Sequence, residues 1–360
     1  MSSPNAGPLT VAGGRGVIRR YFDHLPVSKQ TPIVTLDEGD TPLLYSERAS
    51  KETGAEVWFK NEGLNPTCSF KDRGMTVAIS KALEEGSKVV VCASTGNTSA
   101  SAAAYAGRAG LVCAVLIPRG NVALGKLAQA LVYGARVIEI EGNFDRALEL
   151  TKEMSDRHPI TLVNSINPHR IEGQKTAAFE VVHALGRAPD IHVMPVGNAG
   201  NITAYWRGYR EALAAGWSQA LPTLFGFQAR GADPIVRGKI VDDPKTVATA
   251  IRIGNRASWE GALEAARSSG GEIRSVRDKE ILEAYRALAS EGLFVEPASA
   301  ASLAGLRDLK ERDMLPPGST VTCVLTGHGL KDPEWAIATA PRPKLVPAEV
   351  GPILEELELA

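Results

Sequence analysis

Short runs rich in valine and isoleucine alternate with alanine-rich stretches along most of this chain, from about residue 88 onward. The spacing predicts strands over 88–93, 111–117, 136–140, 191–196, 223–228 and 321–325. It predicts helices over 99–109, 122–133, 144–157, 202–214, 279–291 and 299–310. Strands that are apolar throughout need cover on both faces. Alternation with helices supplies it, because each crossover helix packs back onto the sheet. The expected fold is therefore α/β, with two open parallel-sheet domains of three layers each. Residues 233–250 carry proline, glycine and charge and read as loop with short elements. The proline-rich tail from 341 to 352 reads as a surface wrap or dimer contact.

At 360 residues the chain can bury a large core and divide into two domains. Its 44% hydrophobic and 22% charged fractions are those of an ordinary globular protein. A net charge of −1 gives no electrostatic footprint for nucleic acid or an anionic membrane. No apolar run approaches the roughly 18 residues of a membrane span. Residues 1–20 lack a basic-then-apolar leader pattern and read as a short flexible arm. Cys68, Cys92, Cys113 and Cys323 are scattered without metal-ligand spacing. They point to a reducing cytoplasm and no disulfide framework.

The chemistry concentrates in loops at strand ends, where open α/β sheets bind ligands. Residues 65–74, Asn-Pro-Thr-Cys-Ser-Phe-Lys-Asp-Arg-Gly, place Lys71 where a helix should start. A lysine held there suits a Schiff base, and Lys71 with Arg73 would attract a phosphate-bearing aldehyde. An ordinary surface lysine at a helix N-terminus fits the same stretch. Ser94, Thr95, Gly96, Asn97 and Thr98 follow a strand and open a helix. Their hydroxyls, amide and free N–H groups suit a carboxylate or phosphate beyond what capping needs. Gly197, Asn198, Ala199, Gly200 and Asn201 sit at the next strand-to-helix turn. That loop is neither a Walker loop nor a dinucleotide fingerprint, and a cradle for a single phosphate fits it better. Thr326 ends a strand, where its hydroxyl could bond a ring nitrogen, while His328 between glycines reads as structural. Arg170 closes the turn Asn-Ser-Ile-Asn-Pro-His-Arg, where it could pair with a second phosphate or stay solvated. Glu296, before Pro297, reads as a helix-start acid favoured by the helix dipole.

Together these motifs resemble the fold-type II pyridoxal-phosphate enzymes, the tryptophan-synthase-β-like family, and within it the threonine synthases of the shorter form. The segments 38–43, 65–75, 94–99, 164–174, 196–202, 250–259 and 325–333 carry the resemblance across nearly the whole chain. One departure is Arg256, where the family's Ile-Gly-Asn-Pro segment has proline. The resemblance implies that Lys71 is the Schiff-base residue and that Phe70 lies on the pyridoxal 5′-phosphate cofactor. It implies that Gly197 to Asn201 hold the cofactor phosphate, that Asn97 bonds the ring 3′-oxygen, and that Thr326 faces the pyridine nitrogen. Ser94 to Thr98 would hold the substrate carboxylate. Asn164, Ser165 and Arg170, with Lys60, would bind a substrate phosphate. A neutral Thr326 would moderate the ring as an electron sink, which suits elimination over transamination.

The implied reaction is conversion of O-phospho-L-homoserine and water to L-threonine and phosphate, the last step of threonine biosynthesis. Lys71 would move protons at Cα and Cβ. The implied setting is a cytoplasmic homodimer with a small-molecule substrate and neither nucleic acid nor membrane as partner. A smaller domain over 61–165 would be inserted in a larger one made of 1–60 and 166–360. Two rival readings fit the same residues. One is a threonine/serine dehydratase or an O-acetylserine-type β-replacement enzyme on the same fold. The other is a non-enzymatic α/β binding module that uses only the glycine loops.

Overall fold

The computed structural model describes residues 15–120, 124–255, 259–340 and 342–359. Arg256 and most of the expected N-terminal arm lie outside them. The part of that arm that is described is not free: Val17–Arg20 is a short helix whose Val17 and Ile18 are buried. Two apolar side chains are enough to dock the segment.

Ten strands are present among the described residues. They are β1 (Leu43–Tyr45), β2 (Glu56–Asn61), β3 (Val89–Ala93), β4 (Val112–Pro118), β5 (Arg136–Ile140), β6 (Ile160–Leu162), β7 (Ile191–Pro195), β8 (Thr223–Ala229), β9 (Glu272–Val276) and β10 (Thr320–Leu325). They form a six-stranded sheet in the order β1-β2-β10-β7-β8-β9 and a four-stranded sheet in the order β5-β4-β3-β6. The smaller sheet is parallel throughout. The larger is parallel except for β1, which runs antiparallel to β2 at the edge. The α/β expectation holds, with that one antiparallel edge added. The small sheet's strands fall between β2 and β7 in sequence, so the large sheet is built from both flanks of the chain.

Strand β10 sits inside the large sheet between β2 and β7, and all six of its residues are buried. Burial on both faces is what its apolar run calls for. The Pro297–Glu311 helix covers this sheet with small residues. At Gly305 a methyl group would lie 2.2 Å from the Phe227 ring, so only glycine allows this approach.

The helices Lys71–Glu84 and Pro168–Leu185 cross at closer range still. A methyl on Gly173 would come 1.9 Å from the Arg73 carbonyl oxygen, and one on Gly74 would come 2.6 Å from that of Arg170. These two glycines bring Lys71, Arg73 and Arg170 into one neighbourhood. Beside the crossing lies a buried network of four charges. Arg73 Nε donates to Glu62 at 2.6 Å and Arg73 Nη2 to Glu180 at 2.6 Å. Lys60 Nζ donates to Glu180 at 2.6 Å and to the Thr41 carbonyl at 2.6 Å. Two acids and two bases balance, which such deep burial requires.

Among the described residues no helix is long and apolar enough to cross a membrane. All four cysteines are free, and Cys92, Cys113 and Cys323 are buried.

Candidate active site

Lys71 is the first residue of its helix, and its ammonium lies 3.7 Å from the centre of the Phe70 ring. Burial, then repulsion from Arg170, lowers its pKa to about 7, with Glu296 opposing. A lysine ordinarily near 10.5 is thereby brought within reach of its neutral, nucleophilic form.

The loop before Lys71 is zipped to the loop after β10. Phe70 N donates to the Thr326 carbonyl at 3.1 Å, and His328 N to the Cys68 carbonyl at 3.0 Å. Ser69 and Gly327 form an antiparallel bridge between them. Cys68 adopts φ +67° to make the turn. Thr326 is thus held beside the start of the Lys71 helix. His328 caps the Gly329–Lys331 turn through Nδ1 and stands edge-on to Phe294, the structural role expected for it.

Glu296 completes this corner: it stands at a helix start, as expected, but its carboxyl makes contacts the sequence did not suggest. It occupies the N-cap position of the Pro297–Glu311 helix, yet its side chain makes no capping hydrogen bond. The carboxyl instead accepts from Asn97 Nδ2 at 3.0 and 3.2 Å and from the Thr326 hydroxyl at 3.2 Å. Burial raises its pKa, against Asn97, Lys331, Lys71 and Thr326. A methyl on Gly327 would strike it at 2.6 Å, which explains the glycine after Thr326. The dipeptide Glu-Pro looked like ordinary helix-start chemistry, so nothing local could reveal where the carboxyl turns.

The other loops converge on the same region. Asn97 begins the Asn97–Ala109 helix just after β3, and Ser99 Oγ donates to the Gly96 carbonyl at 2.8 Å. Ser94 Oγ accepts from Gly96 N at 3.2 Å, so residues 94–98 form a tight polar turn. Residues 197–201 lead from β7 into the Gly200–Ala214 helix, with Ala199 left-handed at φ +63°. A left-handed residue ahead of a helix start turns successive N–H groups toward one point, the geometry of an anion cradle. Asn201 Nδ2 is buried there without a protein partner. A methyl on Gly200 would lie 3.4 Å from Ile171 Cδ1 and 3.9 Å from Ser165 Cβ, so the 164–170 turn runs alongside.

Arg170 is wholly buried, donates from Nη1 to the Val163 carbonyl at 2.8 Å, and leaves Nε without a partner. Burial lowers its pKa to about 10. It is not the solvated arginine that spacing alone allowed. Three other expected ligands have different work. Asn164 spends both ends of its amide on Ala93, accepting from its N and donating to its O at 2.9 Å each. That pins the end of β3 and the turn that follows. Lys60 is closed in its pair with Glu180, 1% exposed. Arg73, expected to attract a phosphate beside Lys71, is fully spent on Glu62 and Glu180. In both residues a buried carboxylate has claimed the cation, and such a pair is costly to break.

Residues 34–327 match the family of pyridoxal-phosphate dependent enzymes. The chain is 56% identical over 346 residues to a threonine synthase of Halalkalibacterium halodurans, covering 96% of this chain and 98% of that one. It is 58% identical over 341 residues to a threonine synthase of Synechocystis, covering 93% and 89%. The chain belongs to the threonine synthase family of pyridoxal-phosphate dependent enzymes. Its fold is shared with maize serine racemase, at a TM-score of 0.71 and 23% identity over 83% of this chain and 91% of that one.

As a threonine synthase family member the chain uses pyridoxal phosphate, and its residues fit that group. A lysine with its pKa near 7 stands ready for the aldehyde, and a helix N-terminus with an orphaned buried amide suits the phosphate.

Proposed function

We propose that the protein is a threonine synthase that takes O-phospho-L-homoserine and water to L-threonine and phosphate. The observation that carries the choice of substrate is Arg170: a buried guanidinium with an unpartnered Nε, close enough to depress the pKa of Lys71. A substrate without a distal phosphate would leave that charge uncompensated, and an unpaired buried charge is costly.

Pyridoxal phosphate, when bound, supplies the conjugated ring that takes up electrons as protons leave carbon. Lys71 would hold it, residues Gly197 to Asn201 its phosphate, and Phe70, Asn97 and Thr326 its ring. Ser94 to Thr98 would orient the substrate carboxylate. Lys71 as a neutral amine would accept the Cα proton and then move a proton at Cβ. Ser165 and Arg170 would hold the substrate phosphate, and the guanidinium would steady the charge that grows on it as it leaves. Once the phosphate has left, Cγ would take up a proton to become the methyl group, water would add at Cβ, and Cα would take back a proton. Asn164 and Lys60 would act behind these groups, keeping the β3 turn and the Glu180 network in place. The same proposal divides the chain into a smaller unit over 61–165 and a larger one over 1–60 and 166–360, and makes the protein a cytoplasmic homodimer.

The test is to supply O-phospho-L-homoserine and follow phosphate and threonine in one tube. Equal yields are expected. Phosphate accompanied by 2-oxobutyrate in place of threonine would overturn the water-addition step.

A further inference from the structure

The Glu296 carboxyl has no role in the proposed reaction, yet it is buried, turned away from its own helix and bonded to two residues of the cofactor set. It joins three elements: the start of the Asn97–Ala109 helix, the start of the Pro297–Glu311 helix and the end of β10. A threonine hydroxyl has one proton to give. At Thr326 that proton has two acceptors within reach, Glu296 Oε1 at 3.2 Å and Ser299 Oγ at 3.1 Å, and the carboxylate is the stronger of the two. Ser299 Oγ also reaches the Gly327 carbonyl at 3.1 Å and accepts from Gly327 N at 3.0 Å. Its own proton is thus accommodated by the backbone. A Thr326 hydroxyl that donates to Glu296 can only accept from a group on its other side. The carboxyl likewise fixes the Asn97 amide, since only the nitrogen end can face it. Burial raises the pKa of Glu296, and the charged groups facing it, Lys331 and Lys71, act against that rise and favour its ionised form.

We infer that Glu296 is a positioning residue that acts through Thr326, turning the threonine hydroxyl into an acceptor so that the cofactor's pyridine nitrogen is held protonated. This deepens the proposed function and rests on its placement of Thr326 against that nitrogen. It reverses the expectation from sequence that a neutral threonine leaves the ring a moderated electron sink. The carboxylate that sustains a ring N–H is present, one hydroxyl further back.

The experiment uses the resting holoenzyme, without substrate, loaded with pyridoxal phosphate carrying 15N in the ring. The nitrogen chemical shift reports its protonation directly. The wild type should resonate at the protonated position. Glu296→Gln, whose amide donates to Thr326 and frees the hydroxyl proton for the ring, should move the signal to the unprotonated position. Thr326→Val should do the same, while Thr326→Ser should keep the wild-type signal. A wild-type signal already at the unprotonated position overturns the inference without any variant, so a variant that fails to fold or load does not protect it. Movement with Thr326→Val but not with Glu296→Gln overturns the role of Glu296 and leaves the placement of Thr326 intact. Movement with neither overturns that placement itself.

Discussion

The Lys60 ammonium lies 2.6 Å from the Glu180 carboxylate, with 2% and 4% of the two side chains exposed. Arg73 closes on the same carboxylate, so one acid serves two bases behind the Lys71 helix. Burial alone would raise the Glu180 pKa, and Arg73 and Lys60 outweigh it to hold the group well below the usual carboxylate range. Removing the acid strands two buried cations. Glu180→Ala should cost about 3–5 kcal/mol in a denaturant titration, the range for breaking a buried pair from one side. A loss below about 1 kcal/mol would mean that the network is solvated in solution.

A second expectation concerns pH and Lys71. Its pKa of about 7 means that the neutral amine becomes the major form above that pH. Only that form attacks an aldehyde. The rate at which apoprotein takes up pyridoxal phosphate, followed by visible absorbance, should rise through about pH 7 and then level. An amine at the ordinary lysine value would keep gaining rate to about pH 10. A rate still climbing at pH 9 would show that the burial and the Arg170 charge do not act on Lys71 as described.

His192 offers a pH effect on stability of the opposite origin. It is fully buried, bonded to the Tyr209 hydroxyl at 2.9 Å, and burial pushes its pKa down to about 3. The folded chain therefore keeps it neutral where the unfolded chain would protonate it. Its contribution is complete above the unfolded value of 6.5 and declines as pH falls toward 3. Between pH 6.5 and 5 this one group should remove about 1.6 kcal/mol of unfolding free energy, the slope growing toward roughly 1.4 kcal/mol per pH unit as the unfolded imidazole becomes fully protonated. His192→Phe can still pack against Tyr205 but cannot take a proton. Its urea-derived stability should fall less over that interval; an equal fall would assign the slope to other groups.

What the sequence made legible follows from where the determining contacts lie. The strands β3, β4, β5, β7, β8 and β10 were readable because each is an apolar run bounded by loops. Strand β2, Glu-Val-Trp-Phe-Lys-Asn, was not: it carries Glu56, Lys60 and Asn61, and its Lys60 is tolerable in the sheet only because Glu180 arrives from a distant helix. Strands β1 and β6 have three residues each, too few for a period to register. Lys71, the Gly197 to Asn201 loop and Thr326 could be proposed from the sequence because loops at strand ends concentrate unusual residues. Arg73 and Lys60 were misassigned for one reason. A cation beside a binding loop looks the same whether a ligand or a buried carboxylate neutralises it, and the carboxylate lies 107 residues away from Arg73 and 120 from Lys60. Glu296 was hidden in the same way, its partner Asn97 being 199 residues distant.

The last expectation separates the proposed substrate from its rivals. Arg170 has one bond to the Val163 carbonyl and an Nε that no protein atom satisfies. If a substrate phosphate is its missing partner, the buried charge-assisted bond is worth about 1.5–3 kcal/mol. Arg170→Ala should then lower kcat/KM for O-phospho-L-homoserine by roughly 10- to 150-fold. Arg170→Lys keeps the charge but not the planar fork, and should fall between. Inorganic phosphate, as an inhibitor, should weaken in parallel. Turnover of serine, which carries no phosphate, should not drop by a comparable factor. Because Arg170 also depresses the Lys71 pKa, cofactor uptake in Arg170→Ala should move its pH midpoint upward. That shift shows the variant to be folded and its lysine in place. An upward shift with unchanged phosphohomoserine kinetics would place Arg170 beside Lys71 but remove it from the substrate.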